Sequence, residues 1–554
     1  MIMKNWRINT VLILIFIFSA AIVGRLVFLQ IINHDLYAAL ARGQQKLFFS
    51  SLGERGEIFF QGHSSPVATN QQYPFLYLSP VEIPLEGQDN IVQALSTYLN
   101  MSQAEIKEKM QPGSLYELVK DQLNSQEYEV LSAMELTGVH FGQEDIREYP
   151  YDDFASHLLG FVNQDGQGQY GVEEYWDDVL CGKEGFWEGE RGPLGYFFPA
   201  VSESETEGQD LYLTIDYNIQ YLAEKLLKKA QEDLNIEGGI ILVMEPTTGK
   251  MLALANLPVF NPNQYFAESD FSVFQTDATQ KIFEPGSVFK PITMAAALDQ
   301  GKITPQTTYF DQGCVEIAGY DICNYEERIY PGELTMTNVL EKSINTGAIF
   351  AEEQMGHKNF LDYIGRFGIF EKTSIDLPGE ALAKNTEFKK GYEINFVTAS
   401  FGQGIEMTPI QLARAFCAIA NGGKLVKPFV VESTVEISHN NIISPQTASK
   451  LTAMLVSVIE NGFAKAARIP GYYVAGKTGT AQISYSALDI NQKGYSDKTW
   501  QSFVGYAPAF NPQFLVLIKL DNPATKTAEY SAVPLFQELA KYIIDYYQIP
   551  PDYE

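Results

Sequence analysis

Three short motifs carry nucleophile, base and anion-binding chemistry in a fixed order along this chain of 554 residues. They are Ser287-Val288-Phe289-Lys290, Ser343-Ile344-Asn345 and Lys477-Thr478-Gly479. A serine hydroxyl is a weak nucleophile at its free pKa, so a neighbouring group must accept its proton. Ser287 and Lys290 stand three residues apart, which on a helix puts both side chains on one face. Lys290 can be that base only if burial, or a second cation nearby, lowers its pKa far below the free value. Lys477 is the candidate second cation. Ser343 and Asn345 offer short polar groups that can relay a proton and hold Lys290. Lys477 and Thr478 can bind a substrate carboxylate, while Gly479 lets substrate approach the backbone closely.

The elements that must position these groups are legible around them. Pro285-Gly286 is a turn signal, and Met294-Ala295-Ala296-Ala297-Leu298 continues as a good helix. Pro291 lacks an N–H and is tolerated best if that helix starts at or just before Ser287. The nucleophile would then sit at a helix N-terminus, where the dipole favours developing negative charge. Tyr473 to Ile483 reads as an edge strand beside the cleft. Ser343 follows a helix-like entry, Thr335 to Leu340; a second S-x-N at Ser438-His439-Asn440 reads as a turn. Gly471 to Thr478 also spells the phosphate-binding pattern G-x-x-x-x-G-K-[ST], but aromatic and β-branched residues fill it and strand, not helix, should follow. Ser287 alone would read as an ordinary helix cap; its ordered partners overturn that. No G-x-S-x-G elbow appears and the six histidines are scattered, so neither a Ser-His-Asp hydrolase nor a metal site is expected.

S-x-x-K, S-x-N and K-T-G in this order are the residue set of serine enzymes that react with penicillin. The chain resembles the class B penicillin-binding proteins, the membrane-anchored transpeptidases of bacterial cell-wall synthesis, over almost its whole length. The resemblance implies an α+β, penicillin-recognising fold, an antiparallel sheet with helices, preceded by a transmembrane helix and an elongated mixed α/β pedestal. It implies that Ser287, Lys290, Ser343, Asn345 and Lys477 are catalytic and that Lys477, Thr478, Gly479 and Thr480 bind substrate. The oxyanion hole would be the backbone N–H groups of Ser287 and Thr480. Ser287 would attack a D-Ala-D-Ala stem peptide, expel the terminal D-alanine and pass the acyl group to an amine on a neighbouring strand, with β-lactams as inhibitors and no cofactor. The rival readings are a hydrolase of the same fold (a D,D-carboxypeptidase or β-lactamase) and a non-catalytic penicillin sensor. No deacylating Glu motif supports the β-lactamase, and a sensor would carry more than one span. Glu284-Pro285-Gly286-Ser287 leans toward the division rather than the elongation enzymes.

The N-terminus fits that expectation. The apolar run from Val11 to Leu29 is long enough to span a bilayer. Lys4 and Arg7 precede it and no acid occurs before Asp35, so the start should remain cytoplasmic. Ser19-Ala20-Ala21 could be a signal-peptide site, but the apolar run continues past it, with Arg25 able to snorkel. The expected organisation is a cytoplasmic tail at 1–10, an anchor at 11–32, a pedestal at 33–205 and a catalytic domain at 206–554. Arg55-Gly56-Glu57-Ile58, Arg147-Glu148-Tyr149-Pro150, His157-Leu158-Leu159-Gly160 and Gly171-Val172-Glu173 resemble the family's pedestal, although Phe59-Phe60-Gln61-Gly62 replaces its usual acidic-basic-Gly turn. Ser102-Gln103-Ala104-Glu105 looks like a capping box, and Ser202 to Gly208 reads as a linker.

A net charge of -29 excludes nucleic acid as a partner. Cys314 to Cys323 looks like a hairpin whose two-residue turn at Ala318-Gly319 sets the two cysteines opposite each other, within disulfide reach. Cys181 and Cys417 read as small buried residues. No glycan-polymerising motif precedes Ser287. The resemblance therefore implies a partner, a multi-pass glycosyltransferase of the shape, elongation, division and sporulation group, met through the anchor, where Ala20, Ala21 and Gly24 permit close helix approach, and through the pedestal.

Overall fold

The computed structural model describes residues 46–51, 53–111, 113–183, 185–191, 197–203, 206–432 and 440–554, with Phe16, Phe18 and Ser19. The expected span at 11–32 lies outside the described residues, those three positions apart, and so do Ser438 and His439 of the second S-x-N. Among the described residues no helix is long and apolar enough to cross a membrane.

Seven strands and seven helices bear on the site. The strands are β1 (Gly238–Met244), β2 (Met251–Leu257), β3 (Cys314–Ile317), β4 (Tyr320–Cys323), β5 (Ala475–Ser484), β6 (Tyr495–Ala507) and β7 (Phe514–Asp521). The helices are α1 (Tyr217–Leu234), α2 (Lys290–Asp299), α3 (Met336–Glu341), α4 (Asn345–Met355), α5 (Pro409–Ala420), α6 (Pro445–Asn461) and α7 (Ala532–Tyr546).

Continuous apolar runs such as Ile240-Ile241-Leu242-Val243 belong in strands covered on both faces, and every residue of β1 and β2 is buried. The sheet order is β2-β1-β7-β6-β5, antiparallel throughout, which leaves β5 at the edge. Helices α1 and α7 pack together against the sheet on one side; α5 and α6, joined to α2, cover it on the other. Local chemistry starts these helices where they start. Asp216 accepts from the N–H groups of Asn218 and Ile219 (2.9 and 3.1 Å) to cap α1, and Thr408 with Gln411 forms a capping box on α5.

Within the same compact unit, residues 57–180 supply a three-stranded sheet with Thr69–Leu78 between Glu117–Lys120 and Val139–Glu148. It has its own small core of Leu76, Leu78, Ile91, Leu95 and Ile106. The capping box at Ser102 is present and opens the helix Gln103–Glu108. Two of the pedestal motifs meet: Arg147 Nε donates to Glu173 Oε1 at 2.8 Å, both side chains buried. A buried pair of this kind is costly to break from one side, and Tyr149 OH also donates to Glu173 Oε1 at 3.2 Å. His157 is buried too, its Nε2 2.8 Å from the Val273 carbonyl.

Strands Lys46–Ser51, Gly185–Arg191 and Phe197–Glu203 form an antiparallel sheet in a second compact unit. This corrects the start of the linker expected from Ser202 to Gly208, of which Ser204 and Glu205 lie outside the described residues. Ser202 and Glu203 end a strand, and Thr206 exchanges backbone hydrogen bonds with Lys183 (3.2 Å each). Polar residues in that stretch belong in part to a paired strand.

Candidate active site

Ser287 sits on a turn pinned from both sides. Phe283 and Met407 exchange backbone hydrogen bonds (2.9 and 3.1 Å), and Gly286 N–H donates to the Gly402 carbonyl at 2.9 Å. Gly286 has φ +59°, where a side chain is strained. Residues Gly286–Phe289 then form a 3-10 turn, and α2 begins only at Lys290. The α-helix thus starts three residues later than the sequence suggested, with Pro291 in its first turn, where an N–H is not needed. The 3-10 turn matters because residues i and i+3 eclipse in it. Lys290 Nζ accordingly lies 3.0 Å from Ser287 Oγ.

Ser343 joins α3 to α4 with φ +55°, which turns both of its oxygens toward the same lysine. Lys290 Nζ donates to the Ser343 carbonyl at 2.6 Å and to Asn345 Oδ1 at 2.8 Å, and Ser343 Oγ is 3.3 Å away. Asn345 Nδ2 donates to the Cys323 carbonyl at 2.9 Å, so its amide can point only one way. From β5, Lys477 Nζ donates to Ser343 Oγ at 2.9 Å and to the Thr478 carbonyl at 3.0 Å. Ser343 Oγ therefore bridges the two lysines. Gly479 has a second requirement besides substrate access: a Cβ there would lie 2.9 Å from the Pro285 carbonyl and 3.0 Å from Val288 Cγ1. The edge strand presses against the turn that carries Ser287 at that point. Thr480 Oγ1 accepts from Ala528 N–H at 3.2 Å.

Both lysines are buried, at 0% and 1% exposure, whereas Ser287, Thr478 and Thr480 are half-buried and face the opening. Burial, and after it the charge on Lys477, holds Lys290 well below the ordinary lysine range. Burial brings Lys477 down to about 7. A neutral Lys290 has two N–H donors and one lone pair. The Ser343 carbonyl and Asn345 Oδ1 only accept and take both donors, so the lone pair is left for the Ser287 hydroxyl. Once protonated, the third N–H falls to Ser287 Oγ. The pocket satisfies the amine in both states, so a proton can move without rearrangement.

The structure brings together all five residues expected to be catalytic, with Thr478, Gly479 and Thr480 following along β5. Sequence reasoning missed the Ser343 carbonyl, the shortest contact to Lys290; a positive φ at a serine leaves no mark in sequence. Glu284, named in the sequence only as part of the Glu284-Pro285-Gly286-Ser287 run, has its carboxyl pushed up to about 7 by burial and accepts from Tyr495 OH at 3.0 Å. Cys314 pairs with Cys323 across the β3–β4 hairpin, with Ala318 and Gly319 at positive φ in its turn, and their sulfurs are bonded. Cys417 is buried and Cys181 half-buried. The phosphate-loop spelling ends inside β5, which runs on as strand to Ser484, so no helix opens at Lys477.

Residues 239–541 match the family described as the penicillin binding protein transpeptidase domain, and residues 50–213 match the penicillin-binding protein dimerisation domain. The chain belongs to the class B penicillin-binding proteins. A relative from Pseudomonas aeruginosa is 32% identical over 99% of this chain and 96% of its own. The peptidoglycan D,D-transpeptidase FtsI homolog of Mesostigma viride is 28% identical over 98% of this chain and 96% of its own. The fold matches that of penicillin binding protein 3 from Mycobacterium tuberculosis complexed with aztreonam, with a TM-score of 0.70, 24% identity and coverage of 91% and 98% of the two chains.

Proposed function

We infer that this chain is a peptidoglycan D,D-transpeptidase in which Ser287 is the nucleophile and Lys290 its base. The carrying observation is Lys290 Nζ, buried, held by two acceptor-only groups and 3.0 Å from Ser287 Oγ. Lys477 and Thr478 bind the terminal carboxylate of the D-Ala-D-Ala donor. As Ser287 Oγ bonds to the penultimate carbonyl carbon, its proton passes to Lys290. The backbone N–H groups of Ser287 and Thr480 hold the oxyanion. The C–N bond to the last D-alanine then breaks, and that amine leaves with a proton returned through Ser343, which touches both lysines. An amine from a neighbouring strand attacks the ester carbonyl, its proton goes to Lys290, the ester C–O bond breaks, and Ser287 regains its hydrogen. A β-lactam enters the same first step, but its ring nitrogen stays tethered after the amide opens.

The test offers the full-length protein a D-Ala-D-Ala-type stem-peptide thioester together with an amine acceptor. The expected product is the donor acyl group on the acceptor. Hydrolysed donor alone would make the chain a carboxypeptidase, and no turnover of either kind would contradict the reading.

Residues 11–32 form a single membrane span, with 1–10 in the cytoplasm and the pedestal at 33–205 and catalytic domain at 206–554 outside it. The apolar run behind Lys4 and Arg7 supports this. A multi-pass glycan polymerase of the shape, elongation, division and sporulation group lengthens the strands that this enzyme joins, and Glu284-Pro285-Gly286-Ser287 leans toward a division role. Replacing Ala21 and Gly24 with Leu should weaken co-purification with that polymerase and leave penicillin labelling unchanged. Polymerisation of lipid-linked precursor by the chain alone would remove the need for the partner.

A further inference from the structure

Helix α4 begins at the residue that holds the base, yet nothing in its own sequence caps it. Its N-cap position is Ile344, which has no side-chain acceptor for the N–H groups that every helix leaves open at its start. The acceptor comes from elsewhere in the chain. Asn324, 5% exposed and next to Cys323 at the end of β4, receives the Asn345 N–H on its Oδ1 at 2.9 Å and the Thr346 N–H at 3.1 Å. Its Nδ2 donates to both carboxylate oxygens of Asp311 (2.9 and 3.1 Å) and to the Arg328 carbonyl at 3.0 Å. Asp311 also accepts from Thr346 Oγ1 at 2.6 Å, Tyr330 N–H at 2.8 Å and Gly313 N–H at 3.0 Å.

We propose that Asn324, held in orientation by Asp311, is a positioning residue for the catalytic base, acting through the capped first turn of α4. An ionised Asp311 only accepts, so Asn324 must turn Nδ2 toward it and Oδ1 toward α4. Burial pushes the Asp311 carboxyl upward, but hydrogen bonds from Thr346, Tyr330, Gly313 and Asn324 together hold it below the usual range, so it is ionised at working pH. The preceding residue completes the clamp, since the Cys323 carbonyl accepts from Asn345 Nδ2 at 2.9 Å. Two consecutive residues thus hold the backbone and the side chain of Asn345, and Asn345 Oδ1 holds Lys290 Nζ at 2.8 Å. Asn324 and Asp311 touch neither Ser287 nor Lys290 in this network; their effect is on where the lone pair points.

The inference rests on Lys290 being the base, and its test separates the two ideas. The full-length protein in detergent is mixed with a fluorescent penicillin, and three quantities are read: the acylation rate constant, the non-covalent binding constant, and the fraction labelled at the end point. Asn324→Ala should lower the acylation rate constant about 10²-fold, the loss a misplacement of roughly 1 Å can bring. Binding and final labelled fraction should stay at wild-type values, because β5 is untouched. Asn324→Asp keeps the helix acceptor but sets a carboxylate against Asp311 and should also be slow. Adding Asp311→Asn restores a donor between the two side chains and should recover about tenfold, a coupling expected only of contacting residues. A wild-type acylation rate constant in Asn324→Ala would overturn the proposal. So would a reduced labelled fraction whose remainder reacts at the wild-type rate, since that is damage to folding alone. Lys290→Ala is measured alongside: if it reacts normally, the reading of the base fails, whereas a slow Lys290→Ala beside a normal Asn324→Ala overturns only the role of Asn324.

Discussion

The two walls of the cleft are built on different terms. On the Ser287 wall, the 3-10 turn and the start of α4 bury Lys290 completely and give its amine a partner in every direction. On the strand wall, β5 is an edge, and Thr478 and Thr480 remain half-buried with their outward sides open. A wall that must move a proton gains from closure, because a dry and saturated pocket lowers the lysine pKa and spares reorganisation. A wall that must receive an extended peptide gains from being an unpaired strand with small residues at the contact point. Lys477 belongs to both, anchored on the open strand but buried with its amine on Ser343 Oγ.

If this division holds, substitutions on the Ser287 wall change the acylation rate constant, and those on the strand wall change binding and pH dependence. Ser287→Ala should abolish covalent penicillin labelling while thermal unfolding stays at the wild-type midpoint, since one half-buried hydroxyl is lost. Lys290→Ala should slow acylation roughly 10²–10⁴-fold, the usual contribution of a general base. Labelling of Lys290→Ala at the wild-type rate would mean that another group takes the proton.

On the strand wall, Lys477→Ala should weaken reaction with carboxylate-bearing β-lactams much more than Lys477→Arg, which keeps the charge. The pH dependence sharpens this. Lys477 loses its proton as pH rises through about 7, so the second-order acylation rate constant, which reports the free enzyme, should fall above that pH. Lys477→Arg should lack this descending limb, because arginine stays charged throughout. An unchanged limb in Lys477→Arg would assign it to another group. Ser343→Ala should slow acylation by less than Lys290→Ala, since the Ser343 carbonyl keeps its hydrogen bond to Lys290 whatever the side chain. The smallest effect, none on labelling, is expected for Ser438→Ala; a loss there with Ser343→Ala unaffected would exchange the roles of the two S-x-N sequences.

The chemistry of this site was legible because it is carried by residue types at set spacings. Ser287 with Lys290, Ser343 with Asn345 and Lys477 with Thr478 are side-chain facts, and the fold had only to bring three segments together. The edge strand was equally plain, because aromatic and β-branched residues lead into Lys477 and no helix signal follows it. What stayed hidden is held by the backbone or across long separations. The 3-10 start before Lys290 depends on Gly286 at positive φ, and the Ser343 carbonyl reaches Lys290 only because Ser343 is left-handed. Asn324 caps a helix 21 residues away, which no local pattern announces. The start of the Ser202–Gly208 stretch misled because polar residues occur at strand ends as well as in linkers.

The central claim is that Ser287 forms the covalent bond. Full-length protein incubated with a penicillin, digested and mapped by mass spectrometry, tests it most directly. One adduct of the penicillin's mass per chain is expected, on the peptide containing Glu284 to Lys290 and localised to Ser287. An adduct mapped to Ser343, to Lys290 or to any residue outside that turn would contradict it.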